Sequence, residues 1–303
     1  MPDGRRLEAI VRQLDRTLGT LERDSIRRLD TALRASAVRL ENELRALYEA
    51  ARSSGLTESI AFREARARAL LEQVRGGLRI TDGAPASTTF DTLARRAYTA
   101  GVENAGTMLN AYGTATALPT IAPLSVAARA TNATARLAAH GADFAQKAEG
   151  IIIDGIIRGR GFRPTAAELR RETGILRYEA ERIVRTETIA AADEARRDTF
   201  KEAGVEHVQS MATADDRLCG YCSSRAGKVY KIGDVEVPYH PNCRCYLAPW
   251  RKEWQELGLT DDEWAAEHRR KSLDRAMEPP RTGAAPSERW RGLTKAPRPV
   301  WSP

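Results

Sequence analysis

Cys219-Gly-Tyr-Cys222 and His240-Pro-Asn-Cys243-Arg-Cys245 hold all four cysteines of the 303-residue chain. A C-x2-C turn points two sulfurs to one side at a separation that suits tetrahedral zinc, and a second short knuckle supplies the other pair. Thiolates select zinc over hard cations. Five donors compete for about four positions. Cys219, Cys222 and Cys243 come first; His240 and Cys245 contest the last place, because neighbours in Cys-x-Cys crowd each other. Four protein ligands close such a site, so the ion holds structure and offers no position to a substrate. A catalytic ion would need an open position and a nearby base, for which Asp215, Asp216 and Glu187 are the residues at hand. The pattern favours the closed, structural site. Tight clustering without a secretory leader sets metal ahead of disulfides, and ahead of four reduced, buried thiols with no ion.

Little else in the chain carries chemistry. There is no G-x-S-x-G, no H-E-x-x-H and no P-loop. His140 stands alone and reads as a surface or packing residue. The remaining histidines, His207 and His268, leave a Ser-His pair without support. Residues are 42% hydrophobic but only 6% aromatic, a balance that suits helices better than a β-sandwich. No run approaches the roughly 20 apolar residues of a membrane span. Net charge is +7, from 48 basic and 41 acidic groups, and no block stands out as a nucleic-acid arm. Residues 151–203, for example, carry 11 basic and 10 acidic groups, so the arginines read as solvated faces with i,i+4 pairs.

The elements that must position the knuckles follow from hydrophobic period. Leu7, Ile10, Leu14, Leu18, Leu21 and then Leu29, Leu33, Leu40, Leu44, Leu47 make one helix of the first 50 residues. Its apolar seam needs a partner helix. The next segment offers one, from Thr57-Glu58 through Ile60, Ala67, Leu70 and Val74 to Gly76-Gly77. A connection over Thr81–Thr88 leads to a third helix with Leu93, Ala97, Met108, Leu109 and Tyr112. Residues 111–150 read as a loop with Pro119 and Pro123, then a small-residue helix. Seams left uncovered would be closed by partners, including self-association of the N-terminal helices as a coiled coil.

From Ile151 the text changes. An apolar run ends at Gly159 and Gly161, and Thr165 with Glu168 has capping-box spacing. Gly174 interrupts, and a longer helix from Ala180 to Phe200 closes at Gly204. Val205–Met211, Lys228–Ile232 and Tyr246-Leu247 read as short strands, with Ser223–Tyr239 as a hairpin. A last helix opens at Thr260 and Glu263 with Trp264 as anchor, and six prolines beyond Met277 make an extended tail bearing Trp290 and Trp301. The fold class is α+β, mostly helical: long N-terminal helices (1–150), a small zinc-stapled α+β domain (151–250), then a helix and extended C-terminal tail (251–303).

Arg185-Thr186-Glu187, the Ala-rich helix after it, Ala203-Gly204-Val205, Asp216-Arg217-Leu218-Cys219-x-x-Cys222, Gly227 and Pro238-x-His240-Pro241-x-Cys243-Arg244-Cys245 stand in an order and spacing that resemble the phage Mu protein F-like family. The resemblance covers roughly residues 150–250; Met211 sits near a place where the family often has Trp, and fills similar apolar volume. It implies a minor capsid, or head morphogenesis, protein of a tailed phage, in the virion interior near the portal and in host cytoplasm during assembly. Implied partners are the portal protein, the major capsid protein and packaged DNA. By the same resemblance Arg185 and Glu187 hold their helix against the knuckle, and Asp216 and Arg217 cap and orient it. The leading reading is a non-enzymatic assembly protein. Its rival is a DNA-binding zinc protein on the packaged genome, whose affinity would fall steeply with salt.

Overall fold

The computed structural model describes residues 4–53, 84–114, 123–158, 160–212 and 218–256. Four long helices come first: α1 (Gly4–Ser53), α2 (Ala84–Ala111), α3 (Pro123–Ile157) and α4 (Phe162–Glu202). The small part follows as β1 (His207–Met211), α5 (Gly220–Arg225), β2 (Val229–Lys231), β3 (Tyr246–Trp250) and α6 (Lys252–Glu256). The α+β, mostly helical class therefore holds. The helix expected at 57–76, the helix opened by Thr260 and the Pro-rich tail lie outside the described residues.

The leucine stripe of α1 does what its period dictates. Leu14, Leu18, Leu29, Leu33, Leu40 and Leu44 are all buried. Within the described residues their cover is α2, α3 and α4, since Leu29, Leu33, Leu40 and Leu44 share one core with Phe90, Leu93, Leu137, Ile152, Leu169 and Ile183. Leu14 and Leu18 pack instead on Ala97, Ala191 and Ala192. The seam is thus closed by helices distant in sequence, within one chain, and needs no second copy to cover these leucines.

Boundaries differ from the sequence reading, and α3 runs through Gly150 to Ile157, across the division expected between 150 and 151. α2 starts at Ala84, inside the expected connection, with Pro85 in its first turn, where a missing N–H costs nothing. α4 runs unbroken through Gly174. An interior glycine costs a helix about 1 kcal/mol, whereas Leu169, Leu176, Ala180 and Ile183 keep one buried face across it. Packing wins. Nor is there a capping box: Gly161 is the N-cap with no side-chain bond. Thr165 lies inside the helix, its hydroxyl 3.2 Å from Tyr48 Oη of α1, and Glu168 pairs with Arg160 at 3.4 Å. At the other end Gly204 takes φ +70°, and Val205 N–H donates to Phe200 O at 2.9 Å, closing the helix as expected.

Alanine and glycine let α2 and α4 touch along their backbones. A Cβ added at Gly101 would lie 2.3 Å from Ala192 O and 2.8 Å from Ala195 Cβ, both on α4. These atoms belong to main chain and a methyl stub, so neither can swing aside. Gly101→Ala is expected to destabilise the fold by roughly 2–3 kcal/mol through forced separation of the helices. A urea midpoint unchanged from the parent would refute the close crossing.

The sheet is antiparallel in the order β2-β1-β3. Val208 faces Tyr230 on one side and Pro249 on the other. Residues 223–239 are therefore not a hairpin. Their one strand, β2, crosses to β1, anchored by Ser210 N–H to Lys228 O at 2.9 Å. Val208 and Leu247, on one face by register, and Met211, on the other, share a core with Met108 and Leu109 of α2 and Phe200 of α4. Met211 is fully buried there, filling the apolar place the sequence assigned it.

Candidate metal centre

Each knuckle is a tight turn bonded to its own sulfur. Cys219 is the N-cap of α5, and its Sγ accepts the Cys222 N–H at 3.4 Å. In the second knuckle Cys243 N–H donates to His240 O at 3.0 Å, Asn242 takes the left-handed φ of 62°, and Cys245 N–H donates to Cys243 Sγ at 3.5 Å. Hydrogen bonds of this kind favour the charged sulfur.

The turns bring all five expected donors together. His240 Nε2 lies 3.3 Å from Cys219 Sγ and 3.0 Å from Cys222 Sγ, and Cys222 Sγ lies 3.7 Å from Cys243 Sγ. Cys219, Cys222 and His240 form one set of donors within 4.8 Å of each other; Cys222, Cys243 and Cys245 form a second. Cys222 belongs to both. Zinc–sulfur bonds of about 2.3 Å in a tetrahedron set sulfurs about 3.8 Å apart, so the Cys222–Cys243 separation is already that of a ligand pair. All four cysteines are free thiols. Thiolate and imidazole donors at these distances fit zinc.

Without an ion the donors share protons unequally. The hydrogen bond from the Cys222 thiol, opposed by burial and helped by His240, pulls Cys219 down to about 4. Cys243 is pulled down to about 2 by its bonds with Cys222 and Cys245. Cys222 and Cys245 are raised: Cys222 first through its bond to Cys219, and Cys245, although its bond with Cys222 lowers it, by its bond with Cys243 and by burial. His240 is raised to about 9, first by its bond to Cys219, against burial. Protons thus occupy the space between donors that a cation would fill. Ion and protons compete for the same lone pairs, so zinc affinity is expected to fall as pH falls. Chelator competition at a series of pH values measures this; affinity flat with pH would count against these ligands.

The second knuckle is moored to α4 and the sheet. Asp193 of α4, fully buried, accepts Val237 N–H at 3.1 Å, just before the cis Val237–Pro238 bond. Asn242 N–H donates to Thr186 Oγ1 at 3.5 Å, and Tyr239 Oη donates to Ser210 Oγ at 2.7 Å. Asp193 itself sits 2.9 Å from Arg197 Nε and 3.6 Å from Arg196 Nη2. Burial pushes its carboxyl up, and these two guanidinium groups with the Val237 N–H pull it back.

The expected roles of Arg185 and Glu187 do not hold. Arg185 pairs with Glu181 one turn back at 3.3 Å. Glu187 pairs with Arg136 and, at 3.8 Å, with Arg129, both on α3. These two side chains flank Thr186 on the helix, and it is Thr186 that meets the knuckle. Glu187 is engaged with α3. Asp215, Asp216 and Arg217 lie outside the described residues. His140 Nε2 is 3.6 Å from Glu179, and His207 stacks edge-on against Trp250 at 5.8 Å, each at work in packing. Asp193 was missed by the sequence reading, although one signal was present: an acid directly after Ala190-Ala191-Ala192, seven residues from Thr186 and so on the same helical face.

Residues 146–248 match the family model described as Phage Mu protein F like protein. No curated protein and no solved structure matches the chain. The matched span opens in the last turns of α3 and closes within β3. It takes in α4, all five donors and both moorings of the second knuckle. Cluster, helix and sheet together are the segment of this chain that is similar to the phage Mu protein F-like family.

Proposed function

We propose that the chain is a minor, non-enzymatic structural component of a tailed-phage head, seated against the portal or the inner face of the capsid. The family match over residues 146–248 carries this reading. The geometry is consistent with it. Four ligands drawn from Cys219, Cys222, His240, Cys243 and Cys245 would hold one zinc, leaving it no open position. The ion would supply cohesion, tying the start of α5 to the turn that leads into β3. The metal module and the helices would then present fixed surfaces to portal, capsid or both. DNA contact fits less well, because many arginines on the helices are engaged with acids, as in Arg170–Glu41 at 2.8 Å and Arg182–Glu179 at 2.5 Å.

Purified heads from cells carrying or lacking an intact copy test this. The chain should be present in few copies in finished heads, and its loss should lower the yield of DNA-filled particles. Its absence from purified particles would overturn the reading. So would turnover of capsid protein or DNA by the isolated chain that chelator abolishes.

A further inference from the structure

Two groups of donors share Cys222, and the geometry points to one set of four. We infer that Cys219 Sγ, Cys222 Sγ, Cys243 Sγ and His240 Nε2 hold the zinc, while Cys245 stays a thiol whose contribution is its backbone N–H. This rests on the structural-zinc reading above and goes past it by choosing the fourth ligand.

The choice turns on the two nitrogens of one ring. His240 Nδ1 lies 2.8 Å from Pro241 O. A carbonyl can only accept, so Nδ1 carries a hydrogen and the lone pair of the neutral ring is on Nε2. That lone pair faces the sulfurs of the C-x2-C pair, at 3.3 and 3.0 Å. A tetrahedral ion about 2.3 Å from sulfur and about 2.0 Å from nitrogen needs sulfur–nitrogen edges near 3.5 Å. Both edges are therefore within about half an ångström of what the ion requires. A ring whose other N–H is fixed on a carbonyl is also the usual state of a zinc-bound histidine, because that bond sets tautomer and orientation.

Cys243 completes the set through its 3.7 Å approach to Cys222. Cys243 and Cys245 both group with Cys222, and neither closes with Cys219 or His240 within 4.8 Å, so the choice between them rests on the Cys222–Cys243 approach and on the backbone of Cys245. Its N–H lies on Cys243 Sγ at 3.5 Å, and the next residue, Tyr246, is already paired with Met211 in the sheet. The residue thus steadies the Cys243 sulfur from the main chain. In the competing four-sulfur set His240 would keep hydrogens on both nitrogens and donate to sulfur from outside.

X-ray absorption at the zinc edge of the full-length parent chain should fit three sulfurs and one imidazole nitrogen, a readout that needs no substitution. In cobalt-loaded protein, Cys245→Ser should keep about one ion per chain and an unchanged thiolate charge-transfer band. His240→Ala should shift the ligand-field bands and weaken binding beyond the roughly 10–100-fold cost of losing an outer hydrogen-bond partner. A four-sulfur fit would overturn the assignment. So would loss of charge-transfer intensity in Cys245→Ser with none of these changes in His240→Ala. A parent chain that takes no zinc at all would sink the structural-zinc reading itself, a different failure.

Discussion

In a Cys222→Ser chain, bound zinc is expected to fall from about one ion per molecule to a small fraction, and residues 205–250 to lose their fixed structure. Cys222 has the most to lose because its sulfur sits at the junction of both donor sets. The sheet it serves is short, with strands of 5, 3 and 5 residues. Three strands with one apolar face are near the lower limit for holding themselves together. Structural zinc supplies on the order of 10 kcal/mol in isolated finger peptides, which the packing of Val208, Met211 and Leu247 with Met108, Leu109 and Phe200 is not expected to replace. The four long helices keep their own core. Far-ultraviolet circular dichroism should therefore change little, while near-ultraviolet signal and amide protection of residues 205–250 collapse. A variant whose sheet stays protected without metal would show that packing alone suffices.

Asp193→Ala should be the most damaging change away from the donors. The carboxylate is fully buried between Arg196, 1% exposed, and Arg197. Its loss takes a buried acid from both guanidinium groups, leaving Arg197 with exposed Glu236 at 3.5 Å, and Arg196 already has Nε and Nη1 without hydrogen-bond partners. Breaking a buried pair from one side costs about 3–5 kcal/mol, because the remaining charge is stranded. The Val237 N–H loses its acceptor as well, which loosens the lead-in to His240 and Cys243. Two readouts should move together: the urea midpoint falls, and zinc affinity drops roughly 10–100-fold, as for other outer partners of metal ligands. Asp193→Asn, which keeps an acceptor for Val237 and loses the charge, should fall between parent and Ala in both. A loss under about 1 kcal/mol in Asp193→Ala would mean that the arginines find other partners.

Period and spacing made much of this legible in advance. The stripe on α1 is local information, since side chains at helical spacing must share a face, and its leucines are where that rule puts them. The five donors could be named for the same reason, because two short knuckles fix their sulfurs within a few residues. What sequence could not supply was the partner across space. The cover of α1 comes from residues such as Phe90 and Leu169, far along the chain. Gly174 looked like a stop because its local cost is visible, whereas the burial of Leu176 that outweighs it is tertiary. Arg185 and Glu187 looked like contacts of the knuckle, but a helix presents neighbouring residues about 100° apart, and the one turned toward it is Thr186.

The 41 residues of α4 have a mechanical consequence. At 1.5 Å per residue the helix is about 60 Å long, and it carries no proline beyond its first turn and no break. One stretch is clamped between the other long helices, and further along it is tied to the second knuckle through Thr186 and Asp193. A pull applied at the cysteine cluster would travel along this rod without meeting a hinge. Anything gripping one end would feel movement at the other as a tilt of the whole body, so the molecule is built to pass on displacement and not to absorb it.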